Sequence, residues 1–321
     1  MWGRLVRFLK EWTLPVAIAV GVAAYLCFTR VSVLHPAAEV LTPWVERLFP
    51  FNVFLILWAT FCKVDFRRLR PARWALPVTL VQLMGGGVCL VAALCATGGW
   101  QMVAAGGMAC FIAPCATASP VVTGKLGGDV SSMTAYVLVS SLLSTLLIPV
   151  CATLLAGDGG GGAAAMVRVG WDVLLRVGSV LTLPLLLGWA VRRYVGLVYR
   201  WVARHSDLPF YLWCVALATT SGITVRAIDH AGLPALMLVA LAAVALAVCL
   251  VQFAAGRRIG TRYGCRVEGG QALGQKNTAL IIWAATAFLN PVTALAPGCY
   301  VLWQNLVNSW QIHRKARASR L

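Results

Sequence analysis

Charge-free runs long enough to cross a bilayer constrain this chain more than any other feature of its sequence. Residues 14–28, 74–96 and 233–255 contain no charged side chain. At 1.5 Å per residue, about 20 such residues rise through the ~30 Å of a hydrocarbon core. A soluble fold of this length needs a more polar surface than 12% charged residues beside 60% hydrophobic ones allows. The pattern predicts an all-α polytopic membrane protein with spans near 12–30, 48–64, 74–96, 101–126, 130–156, 166–191, 208–226, 231–255, 266–289 and 292–312. The basic start followed by an apolar stretch resembles a signal peptide. No small-x-small site follows Leu26, so the reading is an uncleaved first helix.

The net charge of +17 raises nucleic acid as a partner, and its distribution argues against that. A nucleic-acid surface gathers its basic residues on one face with interleaved aromatics. Here they stand in short tracts between apolar runs, and alternate tracts are nearly empty. Arg4, Arg7 and Lys10 precede the first span, and Lys63, Arg67, Arg68, Arg70 and Arg73 follow the second. Lys125 follows the fourth, Arg192, Arg193, Arg200 and Arg204 the sixth, Arg257, Arg258, Arg262 and Arg266 the eighth, and Arg314, Lys315, Arg317 and Arg320 the tenth. The positive-inside rule turns this asymmetry into an inner-membrane topology with both termini cytoplasmic. The 11 cysteines show no CxxC and no pairing with histidine at metal-ligand spacing, so they read as small packing residues, and neither a metal nor a cofactor is expected.

The low-complexity segment Gly157–Asp158–Gly159–Gly160–Gly161–Gly162 reads as a flexible linker. It divides the chain into 1–157 and 158–321, each with five spans. Because five is odd, the second half enters the membrane from the opposite face, which is the arithmetic of an inverted repeat. The fourth span of each half is interrupted. In the first half, Ala113–Pro114–Cys115–Ala116–Thr117–Ala118–Ser119–Pro120 brings two prolines to mid-span, where each removes a donor from the helix. In the second, 268–278 carries Gly269, Gly270 and Gly274 with Gln271, Gln275, Lys276 and Asn277. Freed backbone at membrane depth is tolerated where it is buried in protein or lines a wet cavity. Matched interruptions therefore point to a midplane binding site.

At these segments the chain resembles the bile acid:sodium symporter family. The most specific elements are Ala116–Thr117–Ala118–Ser119 and Gly274–Gln275–Lys276–Asn277–Thr278, supported by Lys63–Val64–Asp65–Phe66–Arg67–Arg68 and by the stretch from Pro184 to Gly188. The resemblance implies ten helices in two inverted repeats, with a panel domain (spans 1, 2, 6 and 7) and a core domain (spans 3–5 and 8–10). Spans 4 and 9 are expected to be broken and to cross in the core, with substrate bound between the domains. It also implies a substrate-binding crossover of Thr117, Ser119, Pro120, Gln275, Lys276, Asn277 and Thr278, together with Gln304 and Asn308 in the last helix.

The departures concern sodium. Family members that use Na⁺ carry an acidic residue followed by x-Gly-x-Gln-Asn, and here those positions give Ala272, Gly274, Lys276 and Asn277. Two family hydroxyl positions fall on Met133 and Val137, and the Asn of a Ser-Asn pair becomes Pro120. Gln82 alone matches a sodium-site glutamine. The residues agree with this reading independently, because none of the ten acids lies at mid-depth in the interrupted spans. A degenerate cation site is the expectation, with Na⁺ not required.

Lys276 lies about ten residues into its span, roughly 15 Å deep. An intramembrane cation costs at least ~2.5–3.5 kcal/mol on insertion scales, so it is normally paired or functional. Its ammonium can stand in for the missing sodium through Ser119 and nearby carbonyls, attract a substrate carboxylate, or exchange a proton, and the residues alone leave all three open. Thr219, Thr220, Ser221 and Thr224 are candidates for the panel side of a cavity, with backbone bonding inside their own helix as the alternative. The functional expectation is a secondary transporter of a small organic anion, with efflux open as a direction. An enzyme would need an acid/base or nucleophile constellation at one depth, and His35, His205, His230 and His313 all lie at span ends or in loops. A sensor would need an output domain, for which the tail after Trp310 is short.

Overall fold

The computed structural model describes residues 13–62, 72–156, 162–205, 208–230 and 232–318. The basic residues before the first span, the 63–68 motif and most of the glycine linker, where the 1–157/158–321 division falls, lie outside the described residues. The secondary-structure elements among the described residues are helices: α1 (Thr13–Arg30), a 3₁₀ turn (Ser32–Leu34), α2 (His35–Phe61), α3 (Ala75–Cys95), α4 (Gly99–Ile112), α5 (Ser119–Lys125) and α6 (Val130–Ala156). After the linker come α7 (Gly162–Tyr194), α8 (Gly196–Arg204), α9 (Leu208–His230), α10 (Ala235–Arg262), α11 (Arg266–Gly274), α12 (Thr278–Phe288) and α13 (Leu295–Ala318).

Among the described residues, five helices are long and apolar enough to cross a membrane: α3, α6, most of α7 and α9, and α10. Shorter apolar helices cover Arg47–Phe61, Gly99–Ile112 and Thr278–Phe288. The second helix differs most from expectation, beginning at His35 rather than near 48. Pro36 sits in its first turn, where an absent N–H removes no intrahelical bond. Pro43 and Pro50 are carried inside it, so these prolines do not confine the helix to its apolar second half.

The helices are inside out relative to a soluble bundle. On α3, Leu76, Leu80, Met84, Val88 and Val91 form an exposed stripe, while Gln82 on the other face is fully buried. Apolar residues outward and amides inward is what hydrocarbon as solvent selects, since only an interior supplies partners for a polar side chain. Close backbone approach fixes α11 against α10. A Cβ on Gly256 would stand 2.1 Å from the Gly269 carbonyl oxygen, and one on Gly269 2.3 Å from that of Gly256. With Gly260, this is the small-xxx-small seam of a membrane helix pair.

Four apolar clusters surround the centre. The largest joins α2, α4, α6, α9 and α12 through Val53, Leu57, Met108, Ile112, Ile148, Ala216 and Leu280. A second joins α4, α10 and α13. A third brings Met133, Val137 and Ala272 together with Trp74, Val78 and Cys115. The fourth packs Ala17 of α1 and Leu217 of α9 against Ile282, Ala285 and Val301.

Candidate functional site

The site begins as a backbone problem. A helix leaves its last four carbonyls without intrahelical donors, and inside a membrane no bulk water supplies them. α4 ends at Ile112 beside Pro114, so the carbonyls from Cys110 onward need outside partners. Gln252 of α10 donates to Cys110 O at 3.3 Å, and the Lys276 ammonium donates to Phe111 O at 3.1 Å. Ser144 of α6 donates to Ile112 O at 2.8 Å. Ala113 O accepts from Lys276 Nζ at 3.0 Å and from Gln82 of α3 at 3.2 Å. Pro114 O accepts the Asn277 backbone N–H at 2.8 Å.

The two interruptions lie side by side. Cys115 and Lys276 form an antiparallel bridge, flanked by Asn277 N–H to Pro114 O and Ala116 N–H to Gln275 O, both 2.8 Å. The Cys115 N–H is held by Ser140 Oγ at 2.9 Å. Gln304 of α13 grips the other strand, its Oε1 accepting the Lys276 N–H at 2.8 Å and its Nε2 donating to Lys276 O at 3.3 Å. Gly274 O, at the end of α11, accepts the Tyr300 hydroxyl at 2.8 Å.

Lys276 is 1% exposed. The ion pair between Arg30 and Asp229 involves neither this lysine nor the interior. The charge is met by carbonyl dipoles at a helix C-terminus, the end that carries partial negative charge. Two hydrogen bonds from a charged group, about 1.5–3 kcal/mol each, match the ~2.5–3.5 kcal/mol penalty of an intramembrane cation. A lysine so placed is a helix cap with a charge on it.

The predicted residues fall in distinct places. Asn277 caps α12, its Oδ1 accepting the Leu280 N–H at 3.2 Å. Pro120 is the second residue of α5, where a proline fits. Ser119 is fully buried and meets the Cys115 thiol at 3.2 Å. The ammonium donates to Phe111 O and Ala113 O, so of the expected partners, Ser119 and nearby carbonyls, it is the carbonyls that meet it. Thr117 and Thr278 line a cavity of about 20 Å³ shared with Lys276, Asn277, Ala116, Ala279, Val53 and Ile56 of α2 and Trp213 of α9. That is room for about one water. Gln275 is fully buried with no partner on either amide atom. Asn308 lies one turn from Gln304 and bonds Gln271 at 3.1 Å, away from the bridge.

Ala272, Met133 and Val137 do share one place, and it is an apolar one filled by packing. The hydroxyls of α9 do not face a cavity with their protons. Thr219, Thr220, Ser221 and Thr224 each donate to the backbone carbonyl four residues earlier, at 2.7–2.9 Å. Sequence reasoning missed Gln252, Ser140, Ser144 and Tyr300 as supports of the break. Gln252 was visible as the one amide in the run 233–255. The others carry a polar atom whose use depends on a backbone acceptor that no side chain announces. Among the described residues, no group of three His, Cys, Asp or Glu is placed to hold a metal ion.

The family model described as the sodium bile acid symporter family matches residues 50–251. The match covers α3–α9 whole, together with parts of α2 and α10, and ends before the segment that contains Lys276. No curated protein matches the chain.

Proposed function

Because the chain belongs to the sodium bile acid symporter family, a family of membrane transporters, we propose that it is a secondary transporter of a small organic anion that needs no sodium. Lys276 takes the place of the cation. The observation that carries this is the ammonium on Phe111 O and Ala113 O, with Gln82 sharing the second acceptor. A fixed charge already neutralises the carbonyls that a bound cation would serve. The neighbouring positions Ala272, Met133 and Val137 are closed by apolar packing, which gives a hard cation no oxygen ligands there.

The reading has an architectural part. α4 with α5, and α11 with α12, are taken as two interrupted membrane spans, fourth and ninth of ten. The halves 1–157 and 158–321 are taken as inverted repeats, with both ends of the chain on the cytoplasmic side of a bacterial inner membrane. Alternating access then moves the panel helices α1, α2, α7 and α9 against the rest. The 20 Å³ cavity between Trp213 and Thr278 is too small for an organic anion and must open in the cycle. The lysine's orientation favours a structural charge over a direct substrate ligand.

Purified protein screened against organic acids by thermal shift, in NaCl and in KCl or choline chloride at equal ionic strength, tests this. Stabilisation by a carboxylate ligand is expected to be the same in all three salts. A saturable stabilisation or stimulation of uptake specific to Na⁺ overturns sodium independence.

A further inference from the structure

Two polar stripes face each other below the second break. On α11, Glu268 and Gln271 stand at i and i+3, on one face, and Gln275 follows directly after the helix ends at Gly274. On α13, Gln304, Asn308, Gln311 and Lys315 recur at i, i+4, i+7 and i+11. Gln271 Nε2 bridges the stripes, donating to Asn308 Oδ1 at 3.1 Å and to Gln311 Oε1 at 3.2 Å. At one end Gln304 holds the Lys276 backbone. At the other the stripes grip the loop between α5 and α6. Glu268 Oε1 accepts the Asp129 N–H at 2.5 Å, and Lys315 Nζ donates to Leu126 O.

This interior does not satisfy itself. Gln271 Oε1, Asn308 Nδ2, Gln311 Nε2 and both amide atoms of Gln275 are shielded from solvent and have no partner in the protein. So is Thr123 Oγ1 of α5, whose methyl group lies beside Gly128, as does the Glu268 carboxylate. Amide orientation does not repair this. Turning Gln271, Asn308 and Gln311 over together exchanges which atoms are bonded and leaves three still unpaired, and Gln275 gains nothing from a flip. Buried donors and acceptors in such density are satisfied by ordered water when the protein offers nothing else.

We propose that the α11–α13 stripe holds a file of bound water molecules running from the loop at 126–129 to the break at Gln275. This is a wet route inside the helices of the core, separate from the cavity at Trp213, and it stands whether or not transport uses sodium. The two charged side chains that grip the loop, Glu268 and Lys315, mark its outer end. Small hydrogen-bonding species reach the underside of the crossover along it without movement of α2 or α9.

The test places a thiol on the stripe. Gln271→Cys and Gln275→Cys are treated with a small membrane-impermeant methanethiosulfonate, and adducts are located by peptide mass spectrometry. Leu273→Cys, at the same depth in the dry cluster with Met133 and Ala272, is the control. Reaction at 271 and 275 at least about ten-fold faster than at 273 is expected, since only a wet position admits a charged reagent. Equal protection of all three overturns the proposal. If a cysteine variant does not fold, a density map of the wild-type protein that resolves waters decides. Ordered density bridging Gln271, Asn308 and Gln311 is expected, and direct protein bonds closing all their free atoms overturn it.

Discussion

The ends of α4 and α11 are alike in plan and unlike in charge. Both helices stop within the protein and both hand a carbonyl to the opposite strand. Every carbonyl from Cys110 to Pro114 has a donor from elsewhere, and two of them share a full positive charge. At the end of α11 the donors among the described residues are neutral: the Tyr300 hydroxyl on Gly274, the Ala116 N–H on Gln275 and a Gln304 amide on Lys276. Two matched interruptions need not hold matched ions. A group tethered by a side chain cannot diffuse out of its site as a bound ion can, so no step of a cycle can consist of the lysine's own departure.

Removing that charge should have the largest effect. Lys276→Gln leaves Phe111 O without its donor and is expected to cost about 2–4 kcal/mol of stability, read as a lowered melting temperature in detergent that NaCl does not restore. Adding Ala272→Glu sharpens the comparison, since the pair rebuilds part of the family's sodium pattern. A partial recovery specific to Na⁺ is expected, limited by Met133 and Val137, which still supply no oxygen. A Lys276→Gln protein as stable as wild type that loses only anion binding would move the lysine from helix cap to substrate ligand.

The neutral end should be less sensitive. Tyr300→Phe removes the hydroxyl that donates to Gly274 O and accepts from Gln252 Nε2 at 3.1 Å, for which about 1–3 kcal/mol is expected, with affinity for the anion changing no more than stability does. A loss larger than that of Lys276→Gln would reverse the ranking of the two ends. Ser144→Ala, which frees only Ile112 O, should cost about 1 kcal/mol. Thr219→Val is the floor: its hydroxyl serves only Val215 O in its own helix, and a change within about 0.5 kcal/mol with unaltered uptake is expected. A transport defect in that variant would return α9 to the substrate path.

The sequence announces elements better than partners. The charge-free runs 74–96 and 233–255 locate α3 and the apolar part of α10, because hydrophobicity over about 20 residues is a property of the chain itself. α10 then continues to Arg262, since arginines at a membrane edge do not interrupt helical bonding. Pro114 and Gly274 stand where α4 and α11 give way to non-helical backbone. Nearby carbonyls were expected to meet Lys276, and which ones was beyond reach for a physical reason. Phe111 O and Ala113 O are backbone atoms, and any residue at those positions would present the same carbonyl. Ser119 could be named because its oxygen is written in the sequence. Gln271 was visible as a polar residue among glycines, but its bridge to Asn308 joins residues 37 apart in the chain.

The bridge between Cys115 and Lys276 has an evolutionary consequence. Its two flanking bonds run from main chain to main chain, and main chain is the one part of a protein that substitution leaves in place, proline excepted. A joint of that kind persists while the side chains around it drift. A carboxylate can become alanine, or a glutamine become lysine, without the two strands losing hold of each other. Substitutions of that kind can therefore accumulate one at a time while the joint between the two strands is kept.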